Sequence, residues 1–314
     1  MADWQATASI DTLRRRADLL ATLREFFAQR DVLEVETPQL ARHAVTDVHL
    51  KSFSVLAGQL PLYLQTSPEY AMKRLLACGS GSIYQICKCF RDEESSRQHN
   101  PEFTMLEWYR IGFTLDQLID EVEELVSPLL DSGGIPRLSY RELFLQHLEF
   151  DPHDIGSAEL KSLALEMISI SGGELNDTDY LQLLMTQVIE PKLPSPCFVY
   201  NYPAAQAALA TIEEDVEGSK VARRFELYCG GMEIANGYAE LVDAEEQRVR
   251  FQQDQKRRAE LGLAPIAEDG SLLKALEHGL PQCAGVALGV DRLLMVQTGA
   301  ASIDQVISFP TDKA

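Results

Sequence analysis

The sequence predicts an α+β fold in one large domain spanning residues 1–314. Stretches with the helical spacing of apolar residues are interspersed with stretches that alternate like strands. Residues 82–112 have the pattern of one long antiparallel hairpin around a polar loop at 91–102. The chain shows no internal repeat and no low-complexity linker. These three observations favour a single α+β domain over two domains.

Each predicted element follows from local spacing. Helices are predicted where apolar residues recur every three or four positions, at 11–29, 68–78, 115–130, 157–190, 243–261 and from about residue 291. Strands are predicted at 32–35, 48–56, 62–66, 82–90, 103–112, 197–202, 225–229, 233–242 and 283–288. Asp11 is expected as an N-cap, Pro68 at a first helical position, and Gly58 and Gly289 in turns.

The charge balance restricts the partners of the chain. Asp and Glu number 48 against 28 Lys and Arg, which gives a net charge of -20 and a pI near 4.7. Nucleic-acid binders gain affinity by neutralising phosphates with basic side chains, so a large RNA or DNA partner is disfavoured. A local basic patch around Arg14, Arg15 and Arg16 is the exception that the sequence leaves open.

Cysteine usage and the N-terminus indicate a reduced, cytoplasmic protein. The six cysteines contain no CxxC pair, and the first residues lack the charged and apolar regions of a signal peptide. Cys87 and Cys89 alone supply too few ligands for zinc. The apolar run at 284–290 is too short to span a membrane.

Two predicted strands each carry a glutamate on a face with aromatic or amide neighbours. Alternation places Phe103, Glu107 and Tyr109 on one face of the second hairpin strand, with Phe103 and Glu107 roughly 13 Å apart. Asn236 and Glu240 share a face in the same way. One alternative is a surface hairpin with solvated charges. Two inward glutamates instead favour a site for a cationic group.

A third segment, at 285–292, combines small residues with a charged end. Gly289 is expected to turn the strand into a helix opened by Asp291, and Arg292 offers a fixed guanidinium for phosphate. Many buried strand-to-helix turns have this pattern, so the segment alone is a weak signal.

At these residues the sequence resembles class II aminoacyl-tRNA synthetases of the lysyl type. Residues 90–105 resemble their motif 2, residues 285–292 motif 3, and residues 26–38 motif 1, in the same order. Residues 64–74 and 226–245 are also lysyl-like. The resemblance implies an antiparallel sheet flanked by helices, a bound ATP with Mg²⁺, and a homodimer whose interface includes motif 1.

The resemblance also implies the site residues. ATP is expected to contact Arg91, Asp92, Glu93, His99, Asn100, Phe103, Glu233, Ile234, Gly289 and Arg292. The amino acid is expected to contact Ser67, Pro68, Glu69, Glu107, Tyr109, Asn236, Glu240 and Ala287. Glu226 and Glu233 are expected to hold the metal. Glu233 has the opposite strand parity from Asn236, so a β-bulge is predicted near Ala235.

Within that resemblance, Arg91 is expected at the α-phosphate and His99 at the terminal phosphates. Phe103 and Arg292 are expected to sandwich the adenine, or Arg292 to reach the γ-phosphate. Glu93 and Asn100 are expected at the adenine. Glu107, Tyr109 and Glu240 are expected to surround the terminal ammonium of lysine, while Ser67 to Glu69 receive its other amino group.

Departures from the lysyl pattern suggest that the activated amino acid is transferred to a molecule other than tRNA. The motif 1 segment begins at Phe26, so we do not expect the anticodon-binding barrel of lysyl synthetases before it. The chain resembles truncated paralogues that attach (R)-β-lysine to a lysine of translation elongation factor P. Ser67 and Ala287 replace smaller residues and favour β-lysine over α-lysine, with neutral drift as the alternative. Charging of RNA with α-lysine and a non-catalytic regulatory role remain alternatives; the first is disfavoured by charge and the second by the retained arginines and glutamates.

Overall fold

The computed structural model describes residues 4–92, 95–168 and 175–314. Its helices are α1 (Ile10–Ala28), α2 (Glu69–Ala77), α3 (Leu115–Leu130), α4 (Tyr140–Leu148), α5 (Ser157–Met167), α6 (Asp177–Leu184), α7 (Ala244–Glu260), α8 (Gly270–Gly279) and α9 (Val290–Thr298). Its strands are β1 (Leu33–Glu34), β2 (Leu40–Ala41), β3 (Ser54–Ala57), β4 (Leu60–Leu64), β5 (Ile83–Phe90), β6 (Glu102–Ile111), β7 (Arg137–Ser139), β8 (Cys197–Pro203), β9 (Ile212–Glu214), β10 (Lys220–Cys229), β11 (Met232–Ala239) and β12 (Cys283–Gly289). Between α6 and β8 lie a π-helical turn, Met185–Ile189, and a 3-10 turn, Glu190–Lys192.

The structure confirms the long hairpin and most predicted elements, with local corrections. The N-cap of α1 is Ser9, not Asp11: the Ser9 hydroxyl accepts from the Thr12 backbone amide at 3.0 Å. Pro68 is the N-cap residue of α2 and so precedes the first helical position. The predicted strand at 48–56 is shorter, because only its last part pairs, in β3.

Contacts group the chain into two compact units. Unit 1 comprises Met1–Phe113 with Leu241–Ala314, and unit 2 comprises Thr114–Glu240. The single-domain organisation over residues 1–314 stays a prediction.

In unit 1, strands β1, β5, β6 and β12 lie side by side in that order. β1 and β5 are parallel, whereas β6 is antiparallel to both β5 and β12. One face packs on α1: the Phe27 ring stacks on Tyr84 with centroids 4.4 Å apart and meets Trp108 edge-on at 5.3 Å. Phe27 and Trp108 are fully buried. Because side chains alternate, the opposite face of these strands carries Glu107 and Tyr109.

Two of the three consecutive arginines near the start of α1, Arg15 and Arg16, form ion pairs with carboxylates. Arg15 pairs with Asp11 at the surface, at 3.1 Å. Arg16 donates to buried Asp291 and to the Thr104 hydroxyl, each at 2.6 Å. Asp291 also accepts from the Thr104 backbone amide at 2.6 Å. This network ties α1 to the start of β6 and the first turn of α9.

In unit 2, strands β11, β10, β8 and β7 lie side by side, and β9 pairs with β10. Only β7 and β8 are parallel among these described pairs. A core of helical and strand side chains supports this sheet, including Tyr140, Phe144, Leu160 and Tyr202. The register shifts where Leu227 faces Ala235 while Tyr228 faces Glu233. The predicted bulge is therefore confirmed, and Ile234 is the extra residue.

The sheets of both units are mainly antiparallel and packed by helices, which confirms the predicted fold class. The six cysteines are free thiols. Within residues 4–92, 95–168 and 175–314, no helix combines the length and apolarity needed to cross a bilayer.

Candidate active site

The buried carboxylate of Glu107 lies at the centre of the candidate site in unit 1, on the sheet face opposite α1. Glu107 is 2% exposed. The Ser67 hydroxyl donates to its Oε2 at 2.7 Å, and the Tyr109 hydroxyl donates to its Oε1 at 2.7 Å. Ser67 precedes α2, and its oxygen also accepts from the Glu69 amide at 3.0 Å. The fold thus brings together three residues predicted to bind the amino acid.

Glu69 lies in the first turn of α2 and forms an ion pair within that helix. Its Oε1 is 2.6 Å from Nζ of Lys73, and Lys73 is 1% exposed. A buried ammonium requires such a partner. Lys73 therefore fixes the Glu69 carboxylate. The spacing of four residues on a helix is the sequence signal that could have identified this pair.

Two further residues share the Glu107 face of neighbouring strands. Gln85 of β5 and Ala287 of β12 are the direct cross-strand partners of Glu107. Ala287 also packs against a small cluster formed by Cys87, Cys89, Met105 and Phe103. Sequence reasoning did not select Gln85; its signal is a glutamine in the otherwise apolar run before Cys87, at the parity of the buried face.

At the other end of β6 lie the side chains predicted to contact phosphate. The Arg91 guanidinium is 5.1 Å from the centroid of the Phe103 ring. Nε of Arg91 is buried and has no hydrogen-bond partner within the described part of the chain. Arg292, on α9, contacts Nε2 of His99 at 2.7 Å. Because a guanidinium only donates, this His99 nitrogen accepts and its Nδ1–H donates to the Ser96 hydroxyl at 2.7 Å.

The surroundings of His99 favour the neutral form of its ring. Desolvation of the ring, followed by the charges of Arg292 and Arg91, lowers the pKa of His99 below its usual 6.5. The residue as a whole is exposed. Its ring is nevertheless partly desolvated. The three side chains together present two cations and a neutral imidazole, a set that suits a phosphate chain.

Two further motif 2 residues, Asn100 and Asp92, form hydrogen bonds or ion pairs within the protein. Nδ2 of Asn100 donates to the Glu102 carbonyl at 2.6 Å, and its Oδ1 accepts from the Thr311 amide and hydroxyl at 3.1 Å. Asp92 forms an ion pair with Lys51. Glu93 lies outside the described residues. Gly289 caps α9, and a side chain added there would meet Arg292 at ordinary contact distance.

In unit 2, Glu226 lies at the centre of a second polar cluster. Its Oε2 accepts from the hydroxyls of Tyr202 and Tyr228 at 2.7 and 2.5 Å. Its Oε1 accepts from Arg224 and, at 3.3 Å, from Asn236. Burial and the Glu226 charge raise the pKa of both tyrosines, so these hydroxyls stay protonated donors. All acceptor positions of this carboxylate are filled.

The bulge at Ile234 brings Glu233 to the strand face that carries Asn236. Ile234 itself is buried. Glu240 is 1% exposed, and its backbone forms an isolated antiparallel β-bridge with Ala210.

A metal ion does not fit Glu226 as the side chains are arranged. Both carboxylate oxygens are saturated by protein donors, so a cation would have to displace Arg224 or a tyrosine hydroxyl. Across the described residues, no three His, Cys, Asp or Glu side chains converge as a ready metal cluster. Magnesium at Glu226 and Glu233 therefore stays a prediction from the resemblance.

Comparison with known proteins gives one family and many close relatives. The sequence profile of the class II tRNA synthetases (D, K and N) matches residues 1–313. A protein of Yersinia enterocolitica, named elongation factor P–(R)-β-lysine ligase, is 49% identical over 100% of this chain and 99% of its own length. Proteins of the same name from Vibrio vulnificus and Hamiltonella defensa are 50% and 46% identical, covering 98% and 100% of this chain and 98% and 99% of their own.

Proposed function

Because the chain belongs to the class II tRNA synthetases of the D, K and N group, we propose that it is an ATP-dependent ligase acting on a lysine isomer. It activates (R)-β-lysine as an aminoacyl-adenylate and transfers it to the ε-amine of a lysine on translation elongation factor P. The observation that carries this function is the full-length similarity to proteins named for that reaction. The buried Glu107 provides the matching chemistry.

The ammonium end of the substrate binds at Glu107. A buried carboxylate is costly unless a cation or donors compensate it, and here two hydroxyls hold it in place before the ligand arrives. We assign Tyr109 and Glu240 to the same ammonium, and Ser67, Pro68, Glu69 and Asn236 to the rest of the amino acid. We also assign Ala287, the cross-strand partner of Glu107 on β12, to the substrate site, where its methyl group would restrict the space beside Glu107.

The phosphate end binds at Arg91, His99 and Arg292. The substrate carboxylate oxygen attacks the α-phosphorus of ATP, a new P–O bond forms, and the bond to pyrophosphate breaks. Arg91 stabilises the charge at the α-phosphate, while Arg292 and neutral His99 hold the terminal phosphates. Catalysis then consists of positioning and electrostatic stabilisation by groups fixed in advance.

The nucleoside lies against Phe103, whose ring already has the Arg91 guanidinium nearby. We assign Glu93, Asn100, Asp92, Ile234 and Gly289 to the remaining nucleotide contacts. Class II synthetase ligases generally use ATP with Mg²⁺. The assignment of Glu226 and Glu233 to the metal rests on the resemblance alone.

In the second step, the acceptor lysine attacks the adenylate carbonyl, an amide bond forms, and AMP leaves. The attacking amine must be neutral, although a lysine with a pKa of about 10.4 is mostly protonated at pH 7. The net charge of -20 favours a basic protein surface as the acceptor and disfavours tRNA. We further propose a cytoplasmic homodimer that includes the motif 1 segment in its interface.

The test is amino-acid-dependent exchange of pyrophosphate into ATP, without tRNA, for each lysine isomer. Exchange with (R)-β-lysine, followed by a mass increase of one β-lysyl group on elongation factor P, is the expected result. Labelled lysine on bulk tRNA and none on the protein factor would refute the acceptor. Failure of every isomer to support exchange would refute the ligase.

A further inference from the structure

The side chain of Gln85 is buried with an unmet hydrogen-bonding group. Gln85 is 2% exposed. Its Oε1 has no hydrogen-bond partner anywhere in residues 4–92, 95–168 and 175–314. A buried polar atom without a partner costs free energy, and such atoms are rare in folded proteins. One that sits on a ligand-binding face is explained when the ligand supplies the partner.

The position of Gln85 defines which part of a ligand it meets. Gln85 is the direct antiparallel partner of Glu107, and Ala287 is the partner of Glu107 on the other side. Paired residues on one sheet face have Cβ atoms about 4.5–5.5 Å apart. The Gln85 amide therefore lies beside the Glu107 carboxylate.

The terminal ammonium of a lysine substrate bound at Glu107 would need further hydrogen-bond acceptors. Ser67 and Tyr109 each donate a proton to Glu107. An ammonium carries three N–H donors, and each Glu107 oxygen already accepts one hydroxyl proton, which reduces the number of lone pairs that Glu107 can offer to the ammonium. The Gln85 carbonyl lies on the same sheet face and would add a neutral acceptor, so it brings no further negative charge to the site.

We propose that Gln85 is a substrate-binding residue whose side-chain carbonyl accepts a hydrogen bond from the terminal ammonium of the lysine substrate. This inference rests on the proposed function, since it requires an amino acid with a terminal ammonium. It predicts that Gln85 contributes to binding of the amino acid and has no part in nucleotide binding.

The test compares Gln85→Met, which removes the acceptor at similar size, with Gln85→Glu, which retains an acceptor. Gln247→Met is the matched control, because Gln247 is also a buried glutamine with an unpartnered side-chain atom, but lies on α7. For each variant, pyrophosphate exchange gives KM for lysine and for ATP, and thermal melting reports folding.

Gln85→Met is expected to raise KM for lysine roughly 10- to 100-fold, the loss of one hydrogen bond to a charged group, with KM for ATP unchanged. Its melting temperature should not fall, because the unmet acceptor is gone. Gln85→Glu should retain a KM for lysine nearer the wild type, and Gln247→Met should leave both KM values unchanged.

Three results would overturn the inference while wild-type exchange persists: an unchanged KM for lysine in Gln85→Met, an equal rise in both KM values, or the same rise in Gln247→Met. If Gln85→Met does not fold, a KM for lysine in Gln85→Glu that rises as far as the predicted loss also overturns it. Absence of lysine-dependent exchange in the wild type refutes the proposed function instead.

Discussion

Replacing Asp291 by asparagine is expected to destabilise the protein by about 2.5–6 kcal/mol, because it disrupts a buried hydrogen-bond network without changing the size of the side chain. Oδ1 of Asp291 accepts from Arg16 and Oδ2 accepts from the Thr104 amide, each at 2.6 Å. Asp291 is 2% exposed. An asparagine offers one oxygen and one NH₂ group. Either the Arg16 guanidinium or the Thr104 amide would therefore face the NH₂ group, which is itself a donor.

The magnitude follows from the two losses that result. The Arg16 interaction changes from an ion pair to a neutral hydrogen bond or is lost, which costs about 1.5–3 kcal/mol for a bond to a charged group. If the oxygen stays with Arg16, the Thr104 amide is left buried without a partner at about 1–3 kcal/mol. Asp11→Asn provides the matched control, since its pair with Arg15 has side chains 73% and 59% exposed. Such surface pairs contribute about 0–1 kcal/mol.

Thermal melting of the three proteins at pH 7 and fixed salt measures the difference. Asp291→Asn should melt at least about 4 °C below the wild type, and Asp11→Asn within about 2 °C of it. Equal shifts in the two variants, or an Asp291→Asn protein that melts with the wild type, would show that the network does not stabilise α1 against β6 and α9.

Three other predictions concern the reaction site. Arg91→Ala and Arg292→Ala should each lower pyrophosphate exchange by about 100-fold or more, since each removes a preorganised donor worth about 3 kcal/mol; near-normal rates in both would locate the phosphates elsewhere. Ala287→Gly should raise the use of α-lysine relative to β-lysine by up to about 100-fold, measured as the ratio of kcat/KM, and an unchanged ratio would make the methyl incidental. The His99 imidazole, assigned by comparison with His99→Gln, should titrate below 6.5 by NMR and move upward in Arg292→Ala. Because the unfolded chain binds that proton more tightly, the His99 contribution to stability is lost as the pH falls below 6.5; a His99 pKa above that value would contradict the neutral ring.

Local patterns predicted the elements that have long, consistent periodicity. The hairpin strands β5 and β6 match the predicted strands within one residue at each end, and α3 matches its predicted bounds. Short elements were missed: β2 and β9 have two and three residues, too few for any alternation to appear. Helix α4 was missed although its Ser139–Glu142 capping box is a readable signal.

Strand parity likewise predicted the bulge in β11, because Glu233 and Asn236 can share a face only if one residue is extra. The site residues named by resemblance follow from motifs whose members are close in sequence. Their roles toward ATP and lysine stay predictions, since those roles depend on ligand contacts rather than on the chain alone.

The sequence by itself determined the class of fold, the order of its strands along the chain, and the residue types available for ammonium and phosphate, because each depends on neighbours within one turn, strand or motif. Only the tertiary structure decided which distant groups meet. Arg16 pairs with Asp291 across 275 residues, and Glu226 gathers Tyr202, Tyr228, Arg224 and Asn236. Gln85 acquires its buried, unpaired carbonyl in the same way, because cross-strand register and burial follow from the packing of the whole sheet rather than from any local pattern.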